Sequence, residues 1–160
     1  MTLAKVDPAR ALSAWEQGLA VVEADGVDFF RGFLARDAAR LHTATGQPDP
    51  ALKEFDLAID VFRRAGNVAQ LIITLASLPG LFERIDEPDA ALTLHAALAK
   101  IPAAVDHVPE LTDLGTRLSA RLGLMAATIS ATGLAMDLDD AAVYARARID
   151  ELQRRRTGPL

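Results

Sequence analysis

Cysteine is absent from this chain, so disulfide bonds and metal sites built on thiolates are excluded. Aromatic residues are scarce, at 5%, and stretches of β-branched residues are short. Because hydrophobic residues nevertheless make up 51% of the 160 residues, alanine and leucine must supply most of the core. This composition predicts closely packed helices in one domain of ordinary size.

The chain also has no excess of positive charge and no long apolar run. Acidic residues outnumber basic ones by 22 to 17, and the net charge of -5 disfavours non-specific binding to nucleic-acid phosphates. The most apolar stretch, residues 71–82, is interrupted by Pro79-Gly80 and is too short to cross a bilayer. Since residues 1–5 also lack the pattern of a secretory signal, we expect a cytoplasmic protein that contacts neither membrane nor nucleic acid.

The chain does contain an internal repeat. Pro8, Pro48 and Pro88 are spaced by 40 residues. Each proline is followed by the same dipeptide, at Ala11-Leu12, Ala51-Leu52 and Ala91-Leu92. Such a period is typical of stacked helical hairpins, which usually form surfaces for binding other molecules.

Turn and capping residues divide the repeat into helices. Asp7-Pro8 opens the first helix and Gly26 ends it, while Gly46 ends a second helix that begins near Asp28. The third helix is expected to begin at Asp49. The predicted hairpins cover about residues 8–46, 48–86 and 88–123, and a capping helix covers about residues 137–155.

The last part of the chain follows the repeat less closely. Residues 102–109 are expected to form an irregular connection, and Gly133 is expected to break the helix before the last one. Residues 137–140 contain a D-x-D-D string that certain terpene cyclases use as a proton donor, but those enzymes need a much larger helical barrel. Asp137 is therefore predicted to cap the last helix.

The residues around Gly46 resemble the tetratricopeptide motif. In that register Gly46 stands at the turn between two helices, and Ala51, Phe55 and Ala58 follow at the motif's small, large and small positions. The period of 40 residues exceeds the usual period of about 34, so the helices must be longer than in a standard unit. The longer period resembles the repeat arrays of large bacterial transcriptional regulators and cyclase-linked proteins of the STAND type, in which helical repeats follow a signalling ATPase.

Two later segments carry the same resemblance: residues 87–100 resemble the last repeat of such proteins, and residues 133–145 resemble their closing helix. The resemblance implies an all-α, right-handed superhelix of tetratricopeptide-like hairpins with a C-terminal capping helix. In that family the repeats sense effectors or protein partners. This sequence has neither a G-x-x-x-x-G-K-[ST] phosphate loop nor a basic recognition helix. We therefore expect a cofactor-free C-terminal segment, or a stand-alone relative, of such a regulator.

The tetratricopeptide register also predicts a concave groove. Its lining residues are Phe33, Arg36, Arg40 and Thr43 on the second helix and Ile73, Ala76, Gly80 and Glu83 on the fourth. Arg36 and Arg40 are one helical turn apart, so they could hold a carboxylate or an acidic peptide of a protein partner or neighbouring domain. The alternative is a solvated face on which Asp37 and Glu83 balance the arginines.

Pro79-Gly80 lies inside an otherwise apolar helix, where proline removes a backbone hydrogen bond and must kink or end the helix. One explanation is a tight helix crossing that requires small residues. The other is a hinge or a pocket opened by the bend. If an inducer binds in such a pocket, the chain is a small-molecule effector-binding domain that controls a regulator, which is the alternative function.

The first helix is the second half of a unit whose opening helix is absent in the tetratricopeptide register. Its apolar side is the predicted self-association surface, formed by Leu12, Trp15, Leu19 and Val22. This surface would be buried in a homodimer or against a preceding part of a longer protein. In the competing arrangement the first and second helices form a complete hairpin that leaves nothing exposed.

Residues that could perform chemistry are scattered along the chain. His42, His95 and His107 are far apart, and none has a partner at metal-ligand spacing. The serines lack a G-x-S-x-G setting. The sequence therefore predicts no catalytic residue, no metal site and no enzyme activity.

Overall fold

A computed structural model describes residues 7–25 and 28–158, with side chains over residues 7–18 and 29–158. These residues form α-helices joined by short turns and contain no β-strand, which confirms the all-α prediction. The helices are α1 (Pro8–Asp25), α2 (Asp28–Ala44), α3 (Pro48–Arg64), α4 (Val68–Arg84), α5 (Pro88–Leu98), α6 (Pro102–His107), α7 (Glu110–Leu122), α8 (Ala126–Leu134) and α9 (Leu138–Thr157). A 3-10 turn, Gly123–Met125, joins α7 to α8.

The first five helices begin at regular intervals. Helices α1 to α5 start every 20 residues, at Pro8, Asp28, Pro48, Val68 and Pro88. Proline suits the first position of a helix because its missing N–H needs no partner there. The 40-residue repeat of the sequence is therefore two helices, each followed by a short turn, and α3 begins one residue before the predicted Asp49.

The turns after α2, α3 and α4 share one geometry. Gly46 and Gly66 adopt positive φ angles of 72° and 65°, and Asp86 adopts 65° in the third turn. In each turn the next N–H donates to a carbonyl five residues earlier, from Gln47 to His42 (2.8 Å), Asn67 to Phe62 (2.9 Å) and Glu87 to Phe82 (2.9 Å). These are the hydrogen bonds of a Schellman motif. The predicted helix end at Gly26 lies outside the described residues.

The helical series becomes irregular after α5. The prediction of an irregular connection over residues 102–109 is wrong, because Pro102 starts the short helix α6 and burial of Ala104 stabilises it. The predicted break at Gly133 lies one residue before the observed end of α8 at Leu134. A Cβ at Gly133 would lie 2.0 Å from the backbone oxygen of Thr93, so this glycine allows α8 to approach α5 closely.

Helix α9 begins with the predicted cap. The Asp137 carboxylate accepts a hydrogen bond from the Asp140 N–H at 2.8 Å, and the Asp140 carboxylate accepts one from the Asp137 N–H at 3.2 Å. This reciprocal pair is a capping box. Helix α9 then lies mainly along α3 and α5 and does not close the series beside α8. The sequence predicted the start of α9 correctly and did not indicate that it packs against α3 and α5.

The centre of the core lies in α3, α4 and α5. Their fully buried large side chains are Leu52, Phe55, Ile59, Phe62, Leu75, Leu78, Leu81, Phe82, Leu92, Leu94 and Leu98. Helix α1 packs on α2 at the edge of this core. Accordingly Leu12 is half-buried, whereas Leu52 and Leu92, which are 40 and 80 residues further on, are 0% and 2% exposed.

Candidate binding groove

An open groove with a volume of about 300 Å³ lies between α2, α4 and the segment that contains α6 and α7. Its lining residues are Arg40, Thr43, Ala44, Ala76, Ser77, Gly80, Glu83, Arg84, Val108, Glu110, Leu111, Leu114 and Arg117. We call this surface the α2–α4–α7 groove. Buried Ala76, Leu111 and Leu114 form its apolar floor, and five charged side chains surround them.

The wall on α4 is shaped by Pro79-Gly80. Helix α4 continues through Pro79 to Arg84, so the proline does not end it. A Cβ at Gly80 would meet no heavy atom within 4 Å, which means that the space beside Gly80 is open. This open space contradicts a tight helix crossing and agrees with the alternative, a pocket at this position.

An ion pair connects two walls of the groove. Arg117 of α7 donates from Nε to Glu83 Oε1 at 3.1 Å and from Nη2 to Glu83 Oε2 at 2.9 Å. The hydrogen bond with Glu83 raises the pKa of Arg117, because it stabilises the charged guanidinium. Glu83 is therefore bound to α7 and does not balance Arg36 or Arg40 on α2.

Two other arginines of the groove have no such partner. Arg40 and Arg84 are exposed and make no hydrogen bond or ion pair within the part of the chain that the structure describes. Most other arginines there contact a carboxylate, namely Arg36, Arg63, Arg64, Arg117, Arg121, Arg146, Arg148, Arg154, Arg155 and Arg156. The groove is lined by three arginines, Arg40, Arg84 and Arg117, and by two glutamates, Glu83 and Glu110. Its net charge is therefore positive, although the chain as a whole has a net charge of -5.

The groove brings together part of the predicted partner-binding set. Arg40, Thr43 and Glu83 line it, and so do Ala76 and Gly80. The Thr43 hydroxyl donates to a backbone carbonyl of its own helix at 2.8 Å, which leaves its oxygen free to accept a hydrogen bond. These residues come from the same faces of α2 and α4 that the tetratricopeptide register indicated.

Phe33 and Arg36 do not line the groove. The Arg36 guanidinium lies 5.3 Å from the centroid of the Phe33 ring. Its Nη2 also lies 3.1 Å from the Asp37 carboxylate, and its Nη1 donates to the Gln70 side chain. Arg36 thus has partners inside the chain, as in the alternative of balanced surface charges, and its clamp with Arg40 stays a prediction.

Helix α7 supplies the wall that sequence reasoning missed. The spacing of Leu111, Leu114 and Leu118 predicts a helix, but it does not indicate which helix packs against them. The contact between Arg117 and Glu83 joins residues 34 positions apart. It depends on how α7 packs on α4, and no local pattern in the sequence reports that packing.

The predicted self-association surface on α1 faces α2 in part. Leu12 and Trp15 are half-buried, and a Cβ at Gly18 would lie 3.4 Å from Leu34 Cδ1. The side chains of Leu19 and Val22 lie outside the described residues. The packing of α1 on α2 agrees with the competing arrangement in which these helices pair, and self-association through α1 stays a prediction.

The three histidines lie in different surroundings. His42 is buried with Nδ1 3.1 Å from Gln47 Oε1, and His107 is exposed. His95 is half-buried, and desolvation by burial lowers its pKa. Over residues 7–25 and 28–158, no three His, Asp or Glu side chains gather as a metal site, and none of the helices has the length and apolar character needed to span a bilayer.

No protein family, curated protein or solved structure matches this chain. The shape and charge of the α2–α4–α7 groove therefore carry the functional assignment.

Proposed function

We propose that this chain is a non-catalytic interaction module whose α2–α4–α7 groove binds an acidic segment of a protein. In this proposal the helices form a right-handed superhelix of tetratricopeptide-like hairpins, with α2, α4 and α7 on its concave side. The 20-residue spacing of helix starts and the repeated turn geometry support this arrangement. The acidic segment belongs to a separate protein or to a neighbouring domain of a longer bacterial transcriptional regulator.

The observation that carries the proposal is the pair of unpartnered arginines beside an apolar groove. A carboxylate bound by Arg40 or Arg84 would accept charge-assisted hydrogen bonds that these guanidinium groups do not make within the described chain. Leu111 and Leu114 form the floor of the groove but are only 1% and 4% exposed, so the charged rim and not apolar contact carries the proposed binding. The charge of these arginines favours an acidic peptide over a purely apolar one.

A binding titration tests this proposal. Two pools of short labelled peptides are compared, one with Asp and Glu among apolar residues and one with Asn and Gln at the same positions. We expect the acidic pool to bind the wild-type chain more tightly. Either R40E or R84E should weaken that binding about tenfold or more, because a hydrogen bond to a charged group contributes about 1.5–3 kcal/mol.

The matched control is R154E, which makes the same change of charge on α9. Arg154 is exposed and pairs with Asp150 on its own helix, so it lies outside the groove. We expect R154E to bind the acidic pool like the wild type. Equal binding of the two pools would show that the carboxylates of the peptide contribute nothing, which contradicts the proposal. An equal loss in R154E would show that overall charge and not the groove determines binding.

A small-molecule effector is the second candidate, and the open space at Gly80 favours it. The groove volume of about 300 Å³ falls at the lower end of the range for ligand pockets, about 300–1,000 Å³. In this case a metabolite at about a hundred times its Kd should add roughly 2.7 kcal/mol to the free energy of unfolding. Thermal unfolding with a metabolite panel measures this, and G80L should abolish the effect by filling the groove.

A further inference from the structure

Helix α9 lies antiparallel to α3 and is bonded to it at both ends. Arg63 near the end of α3 donates from Nε to Asp139 Oδ1 at 2.8 Å, near the start of α9. Arg156 near the end of α9 donates to the carboxylate of Asp49, at the start of α3. The ion pairs thus span the length of both helices.

A third contact joins the middle of the two helices. Arg146 of α9 donates from Nε to Asp56 Oδ1 at 2.8 Å and from Nη1 to Asp60 Oδ1 at 2.9 Å. Asp56 and Asp60 are one turn apart on α3, so one guanidinium bridges both carboxylates. Arg146 therefore depends on α3 for its hydrogen bonds with carboxylates.

The start of α5 holds the other side of α9. Glu87, which precedes α5, accepts hydrogen bonds from Arg148 and from Arg155, the latter at 3.2 Å from Nη1 to Oε1. The side chain of Glu87 is only 17% exposed, so these bonds are partly shielded from water. The acidic groups of α3 and α5 therefore lie on both sides of α9.

The apolar contact of α9 is small in comparison. Its buried residues are Ala141, Ala142, Ala145, Ile149 and Leu152. Helix α3, in contrast, buries two phenylalanines, Phe55 and Phe62, among its core residues. Because alanine buries little apolar area, α9 gains less from burial than α3 does and depends more on its ion pairs. The ion pairs at the two ends of α9 are exposed, so they contribute little and weaken in salt. Helix α9 is therefore released from the core more easily than the central helix α3.

We propose that the surface of α3 and α5 beneath α9 is a second binding site, and that α9 is an exchangeable occupant of it. Its ligand is an amphipathic helix with a stripe of small residues flanked by arginines. Release of α9 removes its arginines from the carboxylates of Asp49, Asp56, Asp60 and Glu87, which can then pair with the arginines of such a helix. This site shares no lining residue with the α2–α4–α7 groove and does not depend on its function.

The test uses the full chain and a labelled synthetic peptide of residues 137–158 as the competing helix. Fluorescence anisotropy measures its apparent Kd for the wild type, for R146A and for D56N/D60N. Both variants remove the Arg146 contacts of the chain's own α9 and so loosen it. Only R146A leaves the carboxylates of α3 intact for the peptide.

The two variants should therefore give different results. In R146A the fraction of chains with α9 released rises about fivefold, so the apparent Kd of the peptide falls about fivefold. In D56N/D60N the fraction of chains with α9 released rises as well, but the peptide also loses its contacts with Asp56 and Asp60. These two effects cancel, so the apparent Kd stays at the wild-type value. Circular dichroism checks that both variants keep the helical fold.

A peptide of the same composition in scrambled order controls for non-specific attraction between a basic peptide and an acidic chain. We expect it to bind weakly and equally to all the proteins. The proposal is overturned if the scrambled peptide binds as well as the α9 peptide, if R146A gains no affinity over D56N/D60N, or if no protein binds the α9 peptide at millimolar concentration.

Discussion

At the scale of single residues, two glycines inside helices have opposite surroundings. A Cβ at Gly133 would lie 2.0 Å from the Thr93 oxygen, whereas a Cβ at Gly80 would meet nothing within 4 Å. Gly133 therefore sets how closely α8 approaches α5, while Gly80 leaves open space in the groove. The same residue type serves close packing at one position and an opening at the other.

Replacing each glycine by alanine should change stability in opposite directions. G133A should lower the free energy of unfolding by about 1–3 kcal/mol, because α8 must move away from the Thr93 carbonyl. G80A should raise it by about 0.5–1 kcal/mol, since alanine is the better helix former and meets no obstacle. Urea unfolding measures both, and a neutral effect of G133A would contradict the close contact.

His95 connects burial with pH dependence. Burial lowers its pKa below the ordinary value of 6.5, while a hydrogen bond with the Leu111 backbone opposes the shift. The unfolded chain thus takes up a proton at a higher pH than the folded chain. The neutral His95 ring therefore contributes its full share to the free energy of unfolding above pH 6.5. This contribution is lost as the pH falls from 6.5 towards the lower pKa that His95 has in the folded chain.

Unfolding free energies between pH 7.5 and 5.5 test this effect. We expect the wild type to lose stability over that range more steeply than H95F, which keeps a flat ring and cannot titrate. The difference between the two slopes isolates His95 from the other histidines. Parallel slopes would mean that the His95 pKa is the same in the folded and unfolded chains.

These residue-scale properties also mark a limit of sequence reasoning. A glycine near the end of a predicted helix indicates a break, and Gly46 does stand at such a break with a positive φ. Gly133 carries the same local signal, but its role depends on Thr93, which is distant in sequence. Local pattern identified the turn at Gly46 and could not identify a contact between two helices.

At the scale of helices, the start of α9 is fixed by local hydrogen bonds. The capping box of Asp137 and Asp140 satisfies N–H groups that the helix itself cannot satisfy. Because every partner lies within three residues, the sequence sufficed to predict this cap. The same sequence did not show that α9 lies along α3 and α5, since that depends on ion pairs with distant residues such as Asp49 and Glu87.

The variant D137A should lower the free energy of unfolding by about 1 kcal/mol, the usual effect of removing an N-cap side chain. The control is D150A, which removes the same charge from an exposed pair with Arg154 and should change stability by less than about 0.5 kcal/mol. Thermal unfolding of the two variants gives the comparison. Equal losses would indicate a general effect of charge and not of capping.

At the scale of the whole molecule, the repeat can be tested at positions spaced by 40 residues. Leu52 and Leu92 are buried in the core, while Leu12 is half-buried at the edge. L52A and L92A should each lower the free energy of unfolding by about 2–5 kcal/mol. L12A should lower it by less than about 2 kcal/mol, because its cavity is open to water. Chemical denaturation of the three variants measures their losses of unfolding free energy. A loss in L12A as large as that in L92A would contradict the prediction.

The periodic half of the molecule was the more predictable half. Prolines at helix starts and glycines at turns repeat with the chain, so they gave the starts of α1, α2, α3 and α5 to within about a residue. The α2–α4–α7 groove was predicted only from its periodic walls, through Arg40, Thr43 and Glu83. Its third wall belongs to α7, which lies within the predicted third hairpin, but the sequence did not show that α7 packs against α4.

The long separation between α9 and α3 has a consequence for the order of synthesis. Asp49 and its partner Arg156 are 107 positions apart, so a ribosome adding about 5–20 residues per second needs about 5–20 s to pass from one to the other. During that time the newly made α3 has left the ribosome while the arginines that will cover it do not yet exist. Its acidic side therefore meets the other contents of the cell before it meets its own final helix.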